Sequence, residues 1–147
     1  MEPNRKILIV EDNPGDVRLM REALRDVTPA VKLEIAQDAD QAWSALTNAG
    51  AGGLPHLVFL DFNLPKGGSR GLLQKMKEHT RLRLIPVAVL TTSDAERDIQ
   101  DAYEMHANCY LRKPVDLDGF FETIRRASDF WLNVACTVDE LQTDSQP

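Results

Sequence analysis

At 147 residues, with 43% apolar and 27% charged side chains, the chain is long enough for one globular domain and too apolar for a disordered one. Its 17 Lys and Arg against 23 Asp and Glu give a net charge of −6, and no basic run is dense enough to neutralise a row of phosphates, which argues against DNA binding. Cys109 and Cys136 make no disulfide framework, and no stretch has a signal-peptide core or the roughly 20 apolar residues of a membrane helix, so a soluble, reduced, cytoplasmic protein is expected.

Lys6 leads into Ile7-Leu8-Ile9-Val10, a continuous apolar run of the kind found in strands buried on both faces. Helical spacing follows in Val17, Met20, Ala23, Leu24 and Val27, and Thr28-Pro29 is expected to end it. Val31, Leu33 and Ile35 alternate with Lys32 and Glu34, as in a strand nearer a sheet edge. Ala39, Ala42, Trp43 and Leu46 form a second helix face, closed by Gly50-Ala51-Gly52-Gly53-Leu54-Pro55. Leu57-Val58-Phe59-Leu60 reads as a third strand ending in Asp61. After the loop from Asn63 to Gly68, a third helix packs Leu72, Leu73 and Met76. Pro86 to Leu90 is a fourth strand, and Ser93 with Glu96 makes a capping box that predicts a helix from there to about His106. Asn108 to Arg112 is the fifth strand, stopped by Lys113-Pro114; Asp116 or Asp118 then caps a last helix carrying Leu117, Phe120, Phe121, Ile124, Trp131 and Ala135.

Strand and helix alternate five times, which predicts an α/β fold: a doubly wound, five-stranded parallel sheet with helices on both faces. In such sheets functional groups gather outside the carboxyl ends of the strands. Those ends carry Glu11-Asp12, Asp61, Thr91-Thr92 and Lys113. Each has a plain structural reading alone: an acidic pair at a helix N-terminus, a cap, a strand stop. Their convergence on one edge favours chemistry. Three carboxylates in one pocket repel one another unless a hard cation such as Mg²⁺ neutralises them. Asp61 can then act as a nucleophile toward a phosphoryl group, with Lys113 and Thr91 stabilising its oxygens.

The motifs Ile9-Val10-Glu11-Asp12-Asn13, Leu60-Asp61-Phe62-Asn63-Leu64-Pro65, Val89-Leu90-Thr91-Thr92-Ser93 and Tyr110-Leu111-Arg112-Lys113-Pro114 resemble those of the receiver domains of two-component response regulators. The resemblance runs from Lys6 to about Ala135, giving a receiver domain over 1–135 and a polar tail over 136–147. It implies the flavodoxin-like strand order 2-1-3-4-5. It also implies that Asp61 accepts phosphate from a histidine kinase, that Glu11, Asp12, Asp61 and the Asn63 carbonyl hold Mg²⁺, and that Lys113 and Thr91 contact the phosphate. Thr91 and Tyr110 resemble the family's switch pair, and the Lys113–Pro114 bond is implied to be cis. Such a domain is a phosphoacceptor, not an enzyme beyond self-phosphotransfer and self-dephosphorylation.

Two features depart from the pattern. Gly68-Ser69 stands where Asp-Gly is common, so Gly67 and Gly68 are expected to supply the positive φ of that turn. Phe62 is bulkier than the usual aliphatic residue, which would hinder access to Asp61 or slow hydrolysis of its phosphate. Leu90-Thr91-Thr92-Ser93, Asn108-Cys109-Tyr110 and the late Phe130-Trp131 are similar to single-domain regulators paired with phytochrome-type kinases. Phe121, Ile124 and Ser128 can face the sheet, whereas Phe130, Val134 and Val138 lie on another stripe beside Trp131, Leu132 and Ala135. An end apolar on several faces predicts a homodimer with Phe130, Trp131 and Val134 in the interface.

Rival readings are a phosphatase with an aspartate nucleophile, a flavin-binding protein and a receiver-like scaffold that is never phosphorylated. In the first, Asn63 stands where a general acid is needed and an amide cannot move the proton. In the second, Glu11-Asp12 would repel the flavin phosphate. Against the third stand the intact Glu11, Asp12, Asp61, Thr91 and Lys113.

Overall fold

The structure, a computed structural model, describes residues 5–27, 30–49 and 53–138. Five parallel strands, β1 (Arg5–Val10), β2 (Val31–Ala36), β3 (Leu57–Leu60), β4 (Val87–Thr91) and β5 (Cys109–Arg112), lie in the order β2-β1-β3-β4-β5. Between and after them come α1 (Pro14–Leu24), α2 (Ala39–Thr47), α3 (Ser69–Glu78), α4 (Glu96–Glu104) and α5 (Leu117–Asp129). A 3₁₀ turn at Leu82–Leu84 precedes β4, and a π-helical turn at Phe130–Val134 prolongs α5. The expected doubly wound sheet and its strand order are both present.

The period-two geometry of a strand explains why the apolar runs are continuous. Leu8, Val10, Val58, Leu60, Val87 and Val89 point into one layer, where Ala42, Leu46, Leu72, Leu73 and Met76 of α2 and α3 cover them. Ile7, Ile9, Leu57, Phe59, Ala88 and Leu90 point into the other, under Met20, Ala23, Leu24, Phe120 and Ile124 of α1 and α5. Each large side chain buried in this way contributes about 1.5–3 kcal/mol.

The register carries the site. Val10 pairs with Leu60, Leu60 with Val89 and Thr91 with Arg112. Beyond the paired residues the ladder continues by single bonds: Asp61 N donates to Val10 O at 3.1 Å and Lys113 N to Thr91 O at 2.8 Å. Glu11 N likewise donates to Ala36 O at 2.9 Å, so Glu11, Asp61 and Lys113 are all fixed by backbone at the same edge of the sheet, not left on free loops.

Caps set most helix starts. Asn13 accepts from Asp16 N ahead of Pro14, Asp38 accepts from Gln41 N, and Asp116, not Asp118, accepts from Gly119 N. Gly67 and Gly68 do adopt positive φ, +70° and +91°, and a Cβ at Gly68 would lie 3.0 Å from the Ala39 Cβ.

Several boundaries differ from expectation. α4 begins at Glu96 after Ala95, not at Ser93. Ser93 Oγ accepts from Ala95 N and donates to Asp98 Oδ2, so it closes a turn ahead of the helix instead of capping it. β5 begins at Cys109, because Asn108 is occupied in a two-way bond with the Val87 backbone, through its own N and its Oδ1. The buried stripe of α5 and its extension is Phe120, Ile124, Ser128 and Leu132. Phe121 is only half-buried under the Arg125 guanidinium, and Leu117 is exposed because it opens the helix beyond the sheet. The stop at Thr28-Pro29, the start of the loop from Gly50 to Gly52 and the tail beyond residue 138 lie outside the described residues. No helix among the described residues is long and apolar enough to cross a membrane.

Candidate functional site

Asp61 ends β3, only 6% exposed, at the centre of the carboxyl edge. Its Oδ1 accepts from the backbone N of Asn63 at 2.9 Å, and its carbonyl accepts from the hydroxyl of buried Ser69 at the start of α3. The loop and helix that follow thus hold the residue at its carboxylate, through Asn63, and at its backbone carbonyl, through Ser69. Glu11 is buried at the end of β1 and takes the backbone N of Asn13 on Oε2. Among the described residues, Glu11, Asp12 and Asp61 bring one carboxylate oxygen each to within 4.8 Å of one another.

Lys113 reaches this cluster from the end of β5. Its Nζ lies 2.8 Å from Glu11 Oε1, 2.8 Å from Asp16 Oδ2 and 3.7 Å from Asp61 Oδ2. Burial works against the ammonium, but hydrogen bonds to Asp16 and Glu11 and the charges of Glu11 and Asp61 outweigh it, so its pKa stands above the ordinary lysine value. One cation does not neutralise the set. Burial first, with the nearby Asp61 charge adding and Lys113 opposing, pushes Glu11 up to about 7. A buried carboxyl that resists ionising beside two other acids is what a divalent cation relieves. All three side chains offer the hard oxygen donors that Mg²⁺ or Mn²⁺ takes.

Thr91 is fully buried at the end of β4, and its Oγ1 accepts from Ser93 N and from the Asn63 side-chain amide. The Tyr110 hydroxyl donates to Ser93 O at 2.8 Å, while the Tyr110 backbone N donates to the Tyr103 hydroxyl at 3.1 Å. Phe62 packs behind the loop that follows Asp61 among aromatic and cationic neighbours. It is buried, its ring meets Tyr110 edge-on at 6.5 Å, and the Arg70 guanidinium lies 4.6 Å from its centre. Arg70 in turn binds Asp98 and Asp101 of α4.

The structure therefore brings together Glu11, Asp12, Asp61, Asn63, Thr91 and Lys113, with Tyr110 one residue deeper. Phe130, Trp131 and Val134 lie in the extension of α5, outside this cluster. Sequence reasoning missed Asp16, Ser69 and Arg70. An acid in the first turn of α1 reads as a complement to the helix dipole, and only the fold shows that it faces Lys113.

Residues 7–125 match the family model described as the response regulator receiver domain. The response regulator Rcp1 of Synechocystis sp. is 40% identical over 133 residues, covering 88% of this chain and 90% of the relative. A solved structure of the phosphorylated cyanobacterial phytochrome response regulator RcpA superimposes with a TM-score of 0.85 at 37% identity, covering 92% of this chain and 99% of that one. The Mn²⁺-bound form of Rcp1 gives 0.84 at 38% identity, covering 91% and 99%. The chain belongs to the response regulator receiver family, a family of regulatory domains.

Glu11 sets a pH dependence. With its folded pKa near 7 against an ordinary 4.5, the protein holds an extra proton across that window, and a cation entering the cluster must displace it. Apparent Mg²⁺ affinity measured by titration calorimetry should fall roughly tenfold from about pH 8 to about pH 6, and in Glu11→Gln it should be weaker but flat over that range. A flat profile in the parent chain would contradict the assignment.

Proposed function

We propose that this receiver domain, spanning residues 1–135 with a polar tail over 136–147, acts as a cytoplasmic single-domain response regulator that accepts a phosphoryl group on Asp61 from a histidine kinase. The observation that carries this reading is the meeting of Asp61 with the Lys113 ammonium and the Glu11–Asp12 pair, delivered by three separate strand ends. The similarity to phytochrome response regulators supports a kinase of the phytochrome type. Glu11, Asp12, Asp61 and the Asn63 carbonyl are the residues that would hold Mg²⁺, and the Mn²⁺-bound Rcp1 structure supports a divalent ion there. When bound, the ion supplies positive charge that neutralises the acids and the phosphoryl oxygens.

In the transfer, an Oδ atom of Asp61 forms a bond to phosphorus while the phosphorus–nitrogen bond to the kinase histidine breaks. That electron pair stays on the imidazole, which takes a proton from solvent. Lys113 offers a fixed cation to the phosphoryl oxygens and Thr91 a hydroxyl donor. For Thr91 to turn inward its hydroxyl must leave Asn63 and Ser93, and the Tyr110 ring must release Ser93 O to fill the space behind it. The face formed by α4, β5 and α5 then changes, and output follows through protein contacts without DNA binding. The Lys113–Pro114 bond is read as cis.

A homodimer through the end of the last helix completes the proposal. Phe130 and Val134 are 47% and 64% exposed, and the Phe130 and Trp131 rings pack edge to face at 5.0 Å, an aromatic patch of the kind interfaces cover.

Two measurements test this reading. Incubation with acetyl phosphate and Mg²⁺ should add a single phosphoryl group by intact mass, and Asp61→Asn should add none. Turnover of many equivalents of a phosphomonoester would instead favour a phosphatase. Light scattering at micromolar concentration should give a dimer mass that Phe130→Glu lowers to that of a monomer, and a monomer in the parent chain with and without a phosphate mimic refutes the dimer.

A further inference from the structure

We infer that Asp16 is a positioning residue that holds the Lys113 ammonium back from Asp61, keeping the Asp61 carboxylate free to attack and one Lys113 N–H free for the incoming phosphoryl group. The inference rests on the reading of Asp61 as phosphoacceptor.

A lysine ammonium has three donors. Glu11 and Asp16 take two of them at 2.8 Å, and Asp61 Oδ2, at 3.7 Å, is beyond hydrogen-bond reach. The spacing is not what charge alone would choose. Attraction between a nearly buried ammonium and a nearly buried carboxylate favours contact, and contact would tie up the lone pair that must attack phosphorus. A counter-pull is needed from outside the acid cluster, and Asp16 supplies it. Asp16 stands in the first turn of α1, where Pro14 and the Asn13 cap fix its backbone independently of its side chain. It is also absent from the trio of clustered acids, so its pull on Lys113 is separable from cation binding.

With acetyl phosphate the step is balanced without proton transfer. The Asp61 oxygen forms its bond to phosphorus, the bond from phosphorus to the acetyl oxygen breaks, and acetate leaves with the electron pair.

Asp16→Ala should slow this transfer about tenfold, and Asp16→Asn, which keeps an uncharged acceptor, should fall between. In a Lys113→Ala background Asp16→Ala should change the rate less than about twofold, because a residue acting through Lys113 has nothing left to act on. Equal slowing in both backgrounds, or no slowing with Lys113 present, overturns the inference. A crystal structure of Asp16→Ala gives a reading without any phosphodonor: the Lys113 Nζ to Asp61 Oδ2 distance should shorten to hydrogen-bond contact, and an unchanged 3.7 Å overturns it. Failure of the parent chain to take up phosphate would instead strike the phosphoacceptor reading, whatever that distance does.

Discussion

The Lys113 ammonium is the cation to which acids from β1, α1 and β3 are referred. It is nearly buried, and its own backbone is hydrogen-bonded to the end of β4. Removing it would leave Glu11, Asp12 and Asp61 facing one another without compensation, a cost of several kcal/mol for buried like charges. Even with it in place Glu11 resists ionising, chiefly because the carboxyl is buried, with the Asp61 charge adding to the effect. Three acids gathered on one edge with a single ammonium offer hard oxygen donors of the kind a divalent cation takes.

The same edge is tied to the surface through the residues behind it. Asn63 links Asp61 to Thr91, Ser93 links Thr91 to Tyr110 and Asp98, and Phe62 lies between Tyr110 and Arg70. Arg70 then binds two half-buried acids of α4, so the start of α3 is joined to α4 beside the ring that follows Asp61. The bulky aromatic after Asp61 is accounted for by its packing between the Tyr110 ring and the Arg70 guanidinium.

How much was legible in the sequence follows from what kind of signal each feature leaves. The strands were plain because both faces of the sheet are covered, which turns alternation into unbroken apolar runs such as Ile7 to Val10. The acids and Lys113 were legible because a doubly wound sheet puts strand ends side by side. The start of α4 was not, because Ser93 spends its hydroxyl on Asp98 and on a preceding turn, a choice that depends on where Tyr110 and Arg70 lie. Asp16 and Ser69 were hidden for a related reason: each looks like ordinary helix-start chemistry, and only tertiary placement directs one at Lys113 and the other at the Asp61 carbonyl.

The most direct measurement is a crystal structure of the chain with Mg²⁺ and beryllofluoride, a mimic of the phosphorylated aspartate. An adduct on Asp61, a Lys113 Nζ hydrogen bond to fluorine, Thr91 turned toward the adduct and the Tyr110 ring withdrawn from Ser93 O are the expected result. Beryllofluoride absent from Asp61 at saturating concentration, or bound there with Lys113 turned away from it, would contradict it.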